Sequence, residues 1–162
     1  MLPDEADLLL VQDNPLEVEL TLRPLRDLDP ESRVAVARDG EEALDYLLGR
    51  GAFRHRLGAP LPRLILLEFR MPRVDGIEVL RALRASPRAS TVPVVMLLPA
   101  SDGREVAQCY QVGANSCVVK PVEFAAYHQT IQAIGRYWLG TNLAAGASTA
   151  TVGDRGASGR GG

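Results

Sequence analysis

The sequence is poor in lysine. Its 18 basic residues include a single one, Lys120, and the rest are arginine. Cysteine is nearly as scarce. Cys109 and Cys117 have neither zinc-ligand nor redox spacing, which excludes a disulfide scaffold or zinc module and suits reduced thiols in a cytosolic protein. No apolar run approaches the ~18 residues of a membrane span. The opening Met1-Leu2-Pro3-Asp4-Glu5 has no basic segment ahead of an apolar one, so no secretory signal is expected. Charge of one sign is lacking too: the net charge is −2, giving no general attraction to nucleic acid or an anionic membrane surface. There is no internal repeat. After the first apolar run comes Gln12-Asp13-Asn14-Pro15 instead of a glycine-rich phosphate loop, which argues against a nucleotide hydrolase or flavin binder.

What is present is enough apolar material for one domain, 46% of 162 residues. From Asp7 to Leu139 short apolar runs alternate with amphipathic stretches. Leu8–Val11, Val34–Ala37, Leu64–Leu67, Val94–Leu98 and Cys117–Val119 are apolar at every position, the signature of strands covered on both faces. Between them lie helical patterns. The first is capped by Asn14 with Pro15 in its first turn, and Pro24 is expected to kink or end it. Others run over Glu41–Leu48, Gly76–Ala85 and Arg104–Val112, and the last from Val122 to about Leu139 carries Tyr127, Ile131, Ile134 and Trp138 on one stripe. Five strands alternating with five helices predict an α/β, doubly wound, five-stranded parallel sheet with helices on both faces. Its functional cleft belongs at the carboxyl ends of the strands. The domain is expected over residues 1–139. Residues 140–162, of which 17 of 23 are Gly, Ala, Ser or Thr, read as a flexible tail.

The strand ends bring together Gln12 and Asp13, Glu68 and Arg70, Leu98, and Lys120 with Pro121. Two carboxylates, one amide and the only lysine therefore converge on one cleft. The segments LLLVQDNP (8–15), LILLEFRMPRVDG (64–76), Pro93–Leu98 and GANSCVVKP (113–121) together resemble the receiver domain of bacterial two-component response regulators. The long link Arg50–Arg63 and the Tyr137-Trp138-Leu139 ending resemble, more narrowly, the single-domain regulators that accompany bacterial phytochromes. The resemblance implies a flavodoxin-like (βα)5 fold with strand order 2-1-3-4-5. It also implies a cis Lys120–Pro121 bond, and a switch in which an aspartate accepts a phosphoryl group from a histidine kinase. In that switch two acids hold Mg²⁺, a hydroxyl residue and a lysine meet the phosphoryl group, and an aromatic swings inward.

This sequence departs at four of those places: Glu68 replaces the accepting aspartate, Gln12 one of the two acids, Leu98 the hydroxyl residue and Cys117 the aromatic. A glutamate carboxylate reaches ~1.5 Å further than an aspartate's, and ~1 Å of misplacement can cost ~10²-fold in rate. Glu68 is expected to be ionised and within reach of Lys120, imitating part of a phosphoaspartate's charge. Mg²⁺ is expected to bind weakly at most, with Asp13, Glu68 and the Arg70 carbonyl as the oxygens left to offer. Leu98 fills space without donating a bond, and Cys117 is too small to act as a lever. The expected protein is a non-enzymatic pseudo-receiver acting through protein contacts. The competing reading is a phosphorylation-competent receiver, with Glu68 or Asp13 accepting slowly from a kinase such as a bacteriophytochrome.

The resemblance implies a sensor histidine kinase as partner, docking on the first helix with its Glu17, Glu19 and Arg23. A homodimer is expected through helix four, strand five and helix five, with Tyr127, Ile131, Tyr137 and Trp138 as candidate dimer or output residues; the stripe reads as core at least as readily. No DNA-binding domain is expected after Leu139. Neither His55 nor His128 has the setting of a phosphotransfer site.

Overall fold

A computed structural model describes residues 2–100 and 103–145. Five parallel strands, β1 (Leu8–Val11), β2 (Val34–Ala37), β3 (Leu64–Glu68), β4 (Val94–Leu98) and β5 (Ser116–Val119), form one sheet in the order β2-β1-β3-β4-β5. The helices are α1 (Pro15–Leu28), α2 (Gly40–Leu48), α3 (Gly76–Ala85), α4 (Arg104–Val112) and α5 (Phe124–Gly135). The alternation of runs predicted a doubly wound parallel sheet, and the strand order is the flavodoxin-like one that the resemblance implied. Most of the expected tail, residues 146–162, lies outside the described residues.

The period-2 geometry of a strand sends neighbouring side chains to opposite faces, and the core divides accordingly. Leu9, Val11, Ile65, Leu67, Val94, Met96 and Leu98 pack with α2, α3 and Cys109 of α4. Leu8, Leu10, Leu64, Leu66, Val95 and Leu97 pack with Val18, Leu22 and Leu25 of α1 and Tyr127, Ile131 and Ile134 of α5. All ten residues of β3 and β4 are buried, the burial that a central parallel strand demands.

Helix α1 begins as expected: the Asn14 side chain accepts from the Leu16 and Glu17 amides, and Pro15 occupies the first turn. Its end is a correction. The helix neither stops nor is divided at Pro24 but continues to Leu28. Proline removes one backbone donor, yet Val18, Thr21, Leu22 and Leu25 are all buried around that turn, and the Gln132 side chain of α5 donates to the Pro24 carbonyl at 3.4 Å. Packing on both sides outweighs one lost hydrogen bond of about 1 kcal/mol. Helix α5 is shorter than its amphipathic pattern, since Arg136–Thr141 form a π-helical turn.

The long link is ordered by arginine. Gly51–Arg56 makes a 3-10 turn, and the buried Arg56 guanidinium lies 3.6 Å from the Tyr46 ring centroid. Arg56 and Arg88 donate to main-chain carbonyls inside the link, Pro60 and Ala59, and Arg56 also to that of Asp4 outside it. Planar guanidinium groups with several donors suit this work better than an ammonium does.

Candidate functional site

The strand register sets the site. β1 and β3 pair in parallel with Val11 opposite Leu67, so the next residues, Gln12 and Glu68, emerge side by side. Both continue the Leu8/Leu10 and Leu64/Leu66 series and therefore face α1 and α5. Gln12 is 1% exposed and Glu68 3%.

Lys120 follows β5 and extends its ammonium between two carboxylates. Its Nζ lies 2.8 Å from both Glu68 Oε1 and Glu68 Oε2, and 3.1 and 3.4 Å from Glu17 Oε2 and Oε1. The Gln12 Nε2 group donates to Glu68 Oε2 at 2.8 Å and to Glu17 Oε2 at 2.7 Å. The opposite end of that amide, Oε1, accepts the Asn14 amide at 3.1 Å. The Asn14 bond thus fixes which end of Gln12 faces the carboxylates.

Burial pushes the Glu68 carboxyl above its usual range, with the Lys120 and Gln12 donors pulling against it. For Lys120 burial works downward, but Glu68 and Glu17 outweigh it and hold the ammonium above its ordinary value. The Lys120 side chain is 15% exposed, so it is a largely desolvated ion with a carboxylate on two sides.

Glu17 is the residue that the sequence did not reveal. It was expected on an exposed docking face, but its carboxylate turns into the cleft. Of the expected site residues, Gln12, Glu68 and Lys120 come together. Asp13 is partly exposed, and its side chain makes no hydrogen bond or ion pair among the described residues. The Arg70 side chain, as distinct from the carbonyl expected to offer an oxygen, pairs with Glu105 of α4. Leu98 is fully buried on the opposite face of the sheet. Cys117 is partly buried, and its backbone amide donates to the Tyr110 hydroxyl at 3.2 Å. Burial, with Cys117 beside it, pushes Cys109 up to about 12. Lys120–Pro121 is not cis, correcting the expectation; the described residues contain no cis peptide bond. Of the four aromatic and aliphatic residues expected on a dimer or output face, Tyr127 and Ile131 are buried against the sheet. The Tyr127 hydroxyl instead pairs with Thr21 Oγ1 at 2.7 Å. Tyr137 is exposed and Trp138 partly so, and their rings meet edge to face at 5.0 Å.

The two carboxylates that converge on Lys120 do not fit a divalent ion; of the carboxylates expected to hold a metal, only that of Asp13 is left without a nitrogen donor among the described residues. Mg²⁺ requires a shell of about six oxygens, whereas here nitrogen donors occupy every oxygen of the two converging carboxylates. Among the described residues no group of three or more His, Cys, Asp or Glu side chains is placed to hold a metal.

Beside this network runs a groove of about 390 Å³ lined by Leu20 of α1 and by Pro99, Pro121, Val122 and Phe124. Val122 is fully exposed and Phe124 more than half. No helix among the described residues is long and apolar enough to cross a membrane.

A model of the response regulator receiver domain matches residues 8–132. The chain is 38% identical over 144 residues to the probable methanogenesis regulatory protein FilR2 of Methanothrix harundinacea, covering 88% of this chain and 90% of that protein. Among solved structures it resembles the phosphorylated cyanobacterial phytochrome response regulator RcpA, with TM-score 0.80, 28% identity, and 87% and 99% of the two chains covered. The bacteriophytochrome response regulator AtBRR is 41% identical with TM-score 0.66, over 84% and 96% of the chains. The Mn²⁺-bound form of response regulator Rcp1, a protein of Synechocystis, aligns at 26% identity with TM-score 0.74, over 86% and 99%.

Proposed function

The chain belongs to the response regulator receiver domain family, a module of two-component signalling related to the phytochrome response regulators, and we propose that it works as a pseudo-receiver. Its pocket holds a permanent internal charge pair in place of a transient phosphoryl group, and it signals by protein contact. The observation that carries this reading is the pair of 2.8 Å contacts between the Lys120 ammonium and both oxygens of Glu68. An aspartate awaiting phosphorylation needs a free oxygen in line with the incoming phosphorus. Here both oxygens are engaged by the very lysine that would meet the phosphoryl group. Leu98, turned into the opposite core, offers that group no donor.

The test is phosphoryl uptake. The intact protein, incubated with a small phosphodonor and Mg²⁺, should show no mass gain of one phosphoryl group. Stoichiometric labelling at Glu68 or Asp13 would instead make it a working receiver. Glu68→Asp alone should not create a full switch, because Leu98 and Cys117 remain.

A sensor histidine kinase, with a bacteriophytochrome as the specific case, is the partner proposed for the face formed by α1 and the apolar groove beside it. The relatives named for phytochrome responses support that choice. A homodimer is proposed through α4, β5 and α5, using the exposed Tyr110, Val119 and Tyr137 in place of the buried Tyr127 and Ile131. Sedimentation at increasing concentration should show a monomer–dimer equilibrium weakened by Tyr137→Ala. A monomer at every concentration would remove this part of the proposal.

A further inference from the structure

We propose that Lys120 is the resident cation of this pocket: seated between Glu68 of β3 and Glu17 of α1 and backed by the Gln12 amide, its ammonium replaces a divalent metal ion and fastens α1 to the sheet without one. The proposal deepens the pseudo-receiver reading of the same site and rests on it for the pocket's ancestry, but not for the cation chemistry.

Three observations converge. All four oxygens of the Glu17 and Glu68 carboxylates have Nζ as a neighbour, at 2.8 to 3.4 Å. The amide of Gln12 turns its NH₂ end toward both carboxylates, and a separate hydrogen bond from the Asn14 backbone to Gln12 Oε1 holds it that way. At Glu17 and Glu68 an entering Mg²⁺ would meet donors rather than lone pairs, leaving Asp13 as the one expected carboxylate still free among the described residues, and would have to expel an ammonium that is already largely out of water. Finally, the acid that completes the pocket comes from a helix and not from a strand end. Glu17 lies in the first turn of α1, so one cation ties α1, β3 and the end of β5 together.

Electrostatics favours this exchange. Glu17 and Glu68 bring two negative charges to the seat and Lys120 returns one positive charge. A divalent ion added on top would sit about 3–4 Å from an ammonium, in a region of low effective dielectric where like charges repel strongly. A covalently attached cation also pays no association entropy.

The experiment uses the full chain and Mg²⁺ or Mn²⁺ alone. Thermal melts are recorded in roughly 10 mM MgCl₂ and in NaCl of equal ionic strength, since a bound ligand raises the melting temperature by mass action. The free-ion electron spin resonance signal of Mn²⁺ reports binding directly. The wild-type protein should melt within about 1 °C in the two salts and leave the Mn²⁺ signal undiminished. Lys120→Ala vacates the seat: it should melt lower in NaCl, regain about 3 °C or more in MgCl₂, and deplete the Mn²⁺ signal. Lys120→Gln carries the same expectation should the alanine variant fail to fold. Wild-type binding of Mn²⁺ with Kd below about 1 mM would overturn the proposal, and so would lysine variants that gain nothing from either ion. Mn²⁺ binding without phosphoryl uptake would defeat this inference while leaving the pseudo-receiver reading in place.

Discussion

Replacing Lys120 by methionine is expected to lower folding stability by about 3 kcal/mol, because removing one member of a desolvated ion network leaves its partners uncompensated. Glu17 and Glu68, now bridged by the Lys120 ammonium and the Gln12 amide, would face each other with the amide alone between them. The loss should register as a lower urea midpoint at unchanged m-value. The pH dependence identifies the cause. Glu68 already stands above its ordinary carboxyl value through burial, against the pull of Lys120 and Gln12. Without Lys120 it rises further. A carboxyl raised in the folded state stabilises the fold fully below its unfolded pKa and loses that contribution as pH climbs through the folded value. The deficit of the methionine variant should therefore shrink as pH falls from neutrality into the carboxylate range. A second substitution, Glu68→Leu on that background, should recover more than half the loss, since an apolar replacement of a buried pair is often neutral. A deficit that is the same at every pH would show that packing of the lysine stem, and not charge, is what matters.

Gly76→Ala should have an effect of similar size for a different reason. A Cβ at position 76 would lie 2.3 Å from the Glu68 carbonyl oxygen and 2.9 Å from the Phe69 Cα. Both are backbone atoms at the end of β3, and neither yields as a flexible side chain would. The Gly76 amide also closes the loop by donating to the Phe69 carbonyl at 2.9 Å, with Asp75 capping α3 immediately before it. Forcing these apart should cost about 2–3 kcal/mol, or roughly 10 °C in melting temperature, and loosen Glu68 from Lys120. A melting temperature within about 3 °C of wild type would mean that the loop moves aside easily and that the close approach has little bearing on the site.

The strands were legible because burial on both faces leaves no polar position to interrupt them, as β3 and β4 illustrate. The meeting of Glu68 with Lys120 was legible too, since both end parallel strands of one sheet. Glu17 was not. A glutamate three residues after a helix cap can fold back onto the cap amide and stay at the surface. Here Gln12 Oε1 takes the Asn14 amide instead, which frees Glu17 to turn inward. Strand parity held a clue, because Gln12 continues the Leu8 and Leu10 series toward α1 and so brings its amide to that helix. The Tyr127 and Ile131 stripe left two readings open: periodicity identifies an apolar face but not whether the sheet or a second molecule covers it, and in this chain the sheet does. Pro24 shows the limit of local propensity, as the helix around it is held by contacts far away in sequence.

The single lysine of the chain lies inside the network it organises. Any reagent that modifies ε-amines therefore has one side chain to find, and only 15% of that side chain is open to it. The protein thus carries a built-in clock for its own breathing: the speed at which such a reagent consumes the amine follows how often the first helix and the sheet let go of each other, with no dye, isotope or engineered handle required.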